Sequence, residues 1–234
     1  PMLDPMIQTA IALLTAHVLA DFVFQTNWIV AHKRKPAVLA LHGGIVFVCT
    51  AVALGGHLQL ALIIAVIHFA IDAVKIYALP DTLWAYLSDQ AAHLATIAVA
   101  AWLVPHAVAN GYWADHLDTL LPIALFTSGL IAATLAGGPA VGGLMARFRM
   151  KEQPQSLENA GKIIGLLERT LIYLMVMIGE PTGIGFLIAA KSILRFDTVS
   201  KDRAVSEYVI IGTLASFGWA LVMAFITQTA MKSL

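Results

Sequence analysis

Seven stretches of this chain approach or exceed the twenty or so mostly apolar residues that a helix needs to cross a bilayer core. They run approximately over 5–31, 37–55, 58–79, 84–105, 119–145, 160–179 and 205–230. Of the 234 residues, 59% are hydrophobic and 12% charged, against about 45–50% and 25% in soluble domains. So few charges cannot clothe a water-exposed surface of this size, and lipid must form part of the solvent. The expected fold is all-α, a polytopic transmembrane helix bundle forming one domain over 1–234. A His/Asp-rich four-helix half occupies 1–105, and a half with a Glu/Arg/Lys cluster occupies 119–234.

The piece 183–196 is short for a crossing and reads as a short span or a re-entrant helix. Loop charge favours the span. Lys33-Arg34-Lys35, the group Arg147, Arg149, Lys151 and Lys162, and Lys201 with Arg203 make three basic connections. The connections at 56–58, 106–118 and 180–182 contain no Lys or Arg. Counting the short helix as a span puts all basic loops on the cytoplasmic side and both termini outside. His17, Asp21 and Gln25 inside the first apolar run, with no basic segment before it, argue against a cleaved signal peptide. The lone Cys49 excludes a disulfide framework, and a net charge of zero argues against nucleic acid as a partner. Gly137-Gly138-Pro139 with Gly142-Gly143 is expected to break the fifth span near its end. No serine nucleophile motif, phosphate loop or dinucleotide fingerprint is present.

Ionisable residues inside the spans are the informative ones. The first span holds His17, Asp21 and Gln25 at four-residue spacing, the second His42, the third His68, Asp72 and Lys75, and the fourth Asp89, Gln90 and His93. Residues four apart share one helical stripe. Counted at helical rise from Lys33, Asp21 and Gln25 lie about 18 and 12 Å deep. From the turn at Pro80, His68 and Asp72 lie about 18 and 12 Å deep, with His42, Asp89 and His93 about 8–14 Å from their own helix ends. Four helices thus deliver His and Asp to one layer.

An unpaired charge at that depth costs several kcal/mol, so these groups must pair, line a wet cavity or bind a cation. Imidazole and carboxylate are ligands for zinc, manganese or iron. The expected ligands are His17, Asp21, His42, His68, Asp72 and His93. Asp21, Asp72 and Asp89 are the expected catalytic carboxylates, and Gln25, Lys75 and Gln90 supporting polar groups. The competing reading is a packing network of His–Asp hydrogen bonds with an Asp72–Lys75 pair. A second cluster comprises Glu158, Glu168, Arg169, Lys191, Arg195 and Glu207. Arg169, Lys191 and Arg195 read either as a grip for an anionic head group or, with Glu168 and Glu207, as salt bridges locking helices.

The segments His17-Val-Leu-Ala-Asp21-Phe-Val-Phe-Gln25, His42, His68-Phe-Ala-Ile-Asp72-Ala-Val-Lys75 and Asp89-Gln90-Ala-Ala-His93 are followed by Gly165-Leu-Leu-Glu168-Arg169. They continue in Gly185-Phe-Leu-Ile-Ala-Ala-Lys191-Ser192-Ile-Leu-Arg195-Phe196 and Glu207-Tyr208. Together they resemble an uncharacterised bacterial integral inner-membrane protein family, a domain of unknown function, over nearly the whole chain. The resemblance implies an inner-membrane location and no substrate. A looser, local likeness of His-x-x-x-Asp links the chain to ceramidase-like membrane metal hydrolases, whose full ligand set is not evident here.

Three functions follow. The first is a membrane-embedded hydrolase of a lipid or lipid-linked substrate, dependent on a divalent transition metal, zinc before manganese or iron. The second is a proton or divalent-cation transporter or channel, since intramembrane His, Asp and Glu build ion pathways. The third is a non-catalytic sensor or partner subunit. Membrane lipid is the expected neighbour in each, and the oligomeric state stays open.

Overall fold

A spanning segment must satisfy its own backbone hydrogen bonds, and an α-helix does so internally. The computed structural model of the protein describes residues 3–148, 159–194 and 203–234, and every regular element among them is helical. Arg149, Lys151, Glu158, Arg195 and Lys201, used above, lie outside the described residues. The helices are α1 (Pro5–Val18), α2 (Asn27–His32), α3 (Pro36–Ala53), α4 (Leu58–Ala78) and α5 (Leu83–Leu103). They continue with α6 (Leu117–Ile131), α7 (Gly137–Met145), α8 (Ala160–Met177), α9 (Thr182–Leu194) and α10 (Arg203–Met231).

Local chemistry sets the starts. Asp4 accepts from the Met6 N–H ahead of Pro5, Thr82 from Ala85 and the His57 ring from Leu60. Each satisfies a donor that a helix N-terminus leaves open. Gly55 and Gly56 both have positive φ in the α3–α4 turn, which only glycine adopts without strain.

Five helical stretches are long and apolar enough to cross a membrane: Pro5–Phe24, Pro36–Ala53, Leu58–Ala78, Ala114–Phe148 and Arg203–Met231. Helices α5 and α8 have 21 and 18 residues, the length of a crossing. They also bear Asp89, Gln90 and His93, or Glu168 and Arg169, which lowers their apolarity. Helix α9, with 13 residues, extends about 20 Å at helical rise, less than the core thickness of about 30 Å. Val48, Val52, Leu62, Val66, Val99 and Trp102 are exposed. In water such a surface would be an aggregation liability, whereas in a bilayer it meets lipid.

The first span departs from the expected continuous run over 5–31. Helix α1 passes into a π-helical segment, Leu19–Phe24, and stops at Gln25. A separate helix, α2, then restarts with the Thr26 side chain as its N-cap. A depth counted continuously from Lys33 to Asp21 therefore fails. The Gly137–Gly143 segment also departs from expectation. It stays helical as α7, preceded by a second π-helical segment over Ala132–Ala136.

The chain packs as two units, residues 1–131 (with Leu234) and residues 132–233. In the first, α1 packs against α3, α5 and α6, and α4 against both α3 and α5. Helices α1, α3, α4 and α5, which carry the intramembrane His and Asp, are thus packed on one another around Leu13, Leu39, Val46 and Ala61. In the second unit, α10 packs against α8 and α7, burying Ile172, Tyr173, Val176, Ala220 and Ala224.

Candidate metal centre

Four-residue spacing on α1 with its π-helical continuation, on α4 and on α5 aims His17/Asp21, His68/Asp72 and Asp89/His93 inward as pairs, and α3 adds His42. All seven side chains are buried. Asp21 lies in the π-helical segment, a distortion often found at functional sites.

One grouping that could hold an ion is Asp21, His42 and His68. His42 Nε2 to Asp21 Oδ1, His68 Nε2 to Asp21 Oδ1, and His42 Nε2 to His68 Nε2 are each 3.2 Å. Ligands about 2.0–2.1 Å from a tetrahedral zinc stand about 3.4 Å apart, so this triangle has nearly the edge length of a zinc coordination face. Asp72 Oδ2 stands 3.5 Å from His42 Nε2 and 3.4 Å from His68 Nε2. Two further groups could hold an ion, His17 with His68 and His93, and Asp72 with Asp89 and His93. The three imidazoles of the former line a cavity of about 10 Å³, room for one water-sized particle. Its other walls are Leu13, Val46, Thr50, Ile64, Thr96 and Ile97.

The His42–His68 contact has hydrogen-bond geometry, but much of the other closeness in this layer does not amount to a hydrogen bond. Six buried side-chain polar atoms among the described residues have no hydrogen-bond partner, and five belong to this layer. They are Asp21 Oδ1, His42 Nδ1, Asp72 Oδ2, Asp89 Oδ1 and His93 Nε2. Asp72 Oδ2 has Lys33 Nζ at 2.8 Å, and Asp21 Oδ1 has two imidazole nitrogens at 3.2 Å. Those neighbours supply charge and proximity without a well-directed donor. Buried polar atoms are nearly always hydrogen-bonded, so each orphan calls for a cause. Four of the five are N or O lone-pair atoms of the ion-holding groups, and a cation among them would satisfy them. The donor set fits zinc, manganese or iron.

The supporting polar groups orient these side chains. Gln90 Nε2 donates to Asp89 Oδ2 at 3.2 Å, and Gln90 Oε1 is 3.2 Å from His17 Nε2. Because the amide NH2 must face the carboxylate, its oxygen faces the ring, and His17 carries its proton on Nε2. His17 Nδ1, which points towards Asp21 at 3.8 Å, is left as a bare lone pair. Gln25 Nε2 donates to the Asp21 carbonyl, and its side-chain oxygen accepts from Lys33 Nζ.

Two ion pairs correct the expected charge scheme. Lys75 pairs with Asp89 at 2.7 Å instead of Asp72, since α5 packs on α4. Asp72 is met by Lys33 at 2.8 Å. Lys33 reads in the sequence as a topology-setting charge, yet beyond the break at Gln25 its ammonium reaches Asp72 in the polar layer. The N-cap pattern at Thr26 was the one visible signal of that break.

The second cluster, in the other unit, uses its charges internally. Arg169 is buried, with Nε donating to the Thr134 carbonyl at 3.0 Å and Nη1 to Ser216 Oγ at 3.2 Å. Lys191 Nζ donates to Glu168 at 2.8 Å. Glu207 accepts from Arg203 at 2.9 Å in an exposed pair, an arrangement worth little. Arg169 thus directs two of its donors, and Lys191 one, to groups of the protein, and Arg195 lies outside the described residues. Glycines make room for the guanidinium, since a Cβ at Gly137 would stand 2.9 Å from Arg169 Nε, and one at Gly165 2.9 Å from Nη1. Neither Thr134 nor Ser216 stands out in the sequence as an arginine acceptor.

Residues 9–120 match the family described as "Protein of unknown function (DUF3307)". The match takes in His17, Asp21, His42, His68, Asp72, Asp89, His93 and both lysines that pair with them. No curated protein and no solved structure matches the chain.

Proposed function

We propose that this protein is a metal-dependent hydrolase of the bacterial inner membrane, acting on a lipid or lipid-linked substrate. The observation that carries the reading is the Asp21–His42–His68 triangle with its 3.2 Å edges. Three N/O ligands with a further position for water is how catalytic zinc sites are built, and manganese or iron accepts the same donors. A bound ion of this kind makes a potent nucleophile of its water and polarises a carbonyl or phosphoryl oxygen.

The chain's own residues do the remainder. Asp21, His42 and His68 hold the ion, and Gln90 fixes the tautomer of His17. Asp72 and Asp89 accept the proton that water releases. The reaction balances with water alone. Its oxygen bonds to the carbonyl carbon or phosphorus, the bond to the leaving oxygen breaks, and the proton passes through a carboxylate to that oxygen. In this reading the chain crosses the membrane seven times with α9 as an eighth, short span. Both termini lie outside and the polar layer in the cytoplasmic half, as the basic connections support.

A run of neighbouring imidazoles, stacked at His68–His93 and tilted at the other two contacts, favours a second reading, a proton relay. Ring centroids are 5.2 Å apart from His42 to His68, 3.9 Å from His68 to His93, and 5.1 Å from His93 to His17. Metal content of the detergent-purified chain, by elemental mass spectrometry, separates the two. The hydrolase requires a stoichiometric transition metal that is lost in the His68→Ala/Asp72→Ala double variant. Metal-free protein that has never met a chelator would refute it, and proton flux into sealed vesicles would then test the relay.

A further inference from the structure

Asp72, Asp89 and His93 are drawn together by α4 and α5 but lie outside the triangle that holds the first ion. Asp89 and His93 are 4% and 2% exposed. Their inward atoms, Asp89 Oδ1 and His93 Nε2, lie 3.5 Å apart, and neither has a hydrogen-bond partner. Ligand atoms of Asp89, His93 and Asp72, one from each, lie within 4.8 Å of one another. Asp89 is held for this task from behind, where Lys75 and Gln90 both bind Oδ2 and leave Oδ1 bare. Outer groups of this kind are what orient metal ligands.

We propose that Asp72, Asp89 and His93 form a second divalent-cation site, joined through Asp72 to the first, with Lys33 as a built-in competitor for it. This rests on the first ion being held by Asp21, His42 and His68. Asp72 is the joint because its Oδ2 is also 3.4–3.5 Å from the Nε2 atoms of His68 and His42. Carboxylate-linked pairs of ions are a standard catalytic arrangement, with the metals about 3.5–4 Å apart.

Charge gives Lys33 its part. Three carboxylates face two ammonium groups, Lys33 and Lys75, which leaves the layer one positive charge short when its imidazoles are neutral. A first divalent ion would more than make good that deficit and leave the layer with one net positive charge. A second ion brings excess positive charge next to Lys33, which stands 2.8 Å from the shared carboxylate. The Lys33 side chain keeps 12% exposure where Asp72 keeps 3%, which gives it a route out of the buried layer. The second ion therefore binds more weakly than the first, and its arrival expels the lysine. With the second site vacant, Asp72 and Asp89 are available as proton acceptors. With it filled, they are ligands.

The test is titration of the metal-stripped full chain in detergent with Zn2+ and with Mn2+, counting bound ions. Wild type should take two equivalents, the second weaker. Asp89→Asn and His93→Ala should keep the first and lose the second. Lys33→Met should tighten the second by more than about tenfold, a conservative figure for removing a charge a few ångströms away. Wild type also gives a readout that does not depend on how variants fold. At two Mn2+ equivalents its paramagnetic resonance spectrum should show exchange coupling between neighbouring ions. One equivalent in both wild type and Lys33→Met would overturn the second site and leave the hydrolase standing. No bound metal would overturn both. Two equivalents that survive in Asp89→Asn and His93→Ala would overturn the assignment to these residues. Unchanged second-site affinity in Lys33→Met would overturn the competition.

Discussion

Replacing Gly137 by alanine tests whether Arg169 is a fixed structural strut or a mobile anion grip. A Cβ at this position would stand 2.7 Å from Trp219 Cδ1 and 2.9 Å from Arg169 Cδ and Nε. Neither neighbour can yield cheaply. The indole is tied by its N–H to the Ala132 carbonyl at 2.9 Å, and the guanidinium to Thr134 and Ser216. Overpacking a site of this kind costs about 1–3 kcal/mol. Gly142, in the same helix, is the matched control, because a Cβ there meets nothing within 4 Å. Alanine at Gly142 should gain up to about 1 kcal/mol of helix propensity. The propensity gain applies at both positions and cancels, so the two variants should differ by the overpacking cost of about 1–3 kcal/mol, which is about 2–12 °C in unfolding midpoint for a chain of this size. The assay is thermal unfolding in one detergent at one scan rate, followed by circular dichroism. Equal midpoints for Gly137→Ala and Gly142→Ala would refute the strut. An arginine free to grip an anion would move aside for a methyl group.

Other expectations concern the polar layer. Gln90→Leu removes the amide that orients His17 and Asp89, and should weaken metal affinity about 10–100-fold, measured against a competing chelator. Unchanged affinity would remove Gln90 from the centre. Lys75→Met leaves a buried Asp89 carboxylate without its cation. Breaking a buried pair from one side costs about 3–5 kcal/mol, and the partial exposure of Lys75 reduces this to about 1–3 kcal/mol. Adding Asp89→Asn to Lys75→Met should recover most of that loss in metal-free protein. A double variant no more stable than the single would show that the charge is not the cause.

The sequence alone determined the solvent and the element type. Apolar runs of bilayer length with so few charges leave a helical membrane bundle as the workable fold, because backbone satisfaction in hydrocarbon is a local matter. It also determined which residues to watch. A buried His or Asp carries a cost that composition makes visible, and four-residue spacing tells which two share a stripe. Which helices touch is a long-range matter that periodicity cannot encode, and so the partners were decided by tertiary packing. Packing of α5 on α4 gave Lys75 to Asp89 and not to its near neighbour Asp72. A π-helical end and a break after Gln25 turned Lys33 from a surface charge into a member of the centre. Gly137 and Gly165, legible only as small residues, became the cradle for Arg169. The 3.2 Å triangle joins residues 21, 42 and 68. It exists only where three separately formed helices converge.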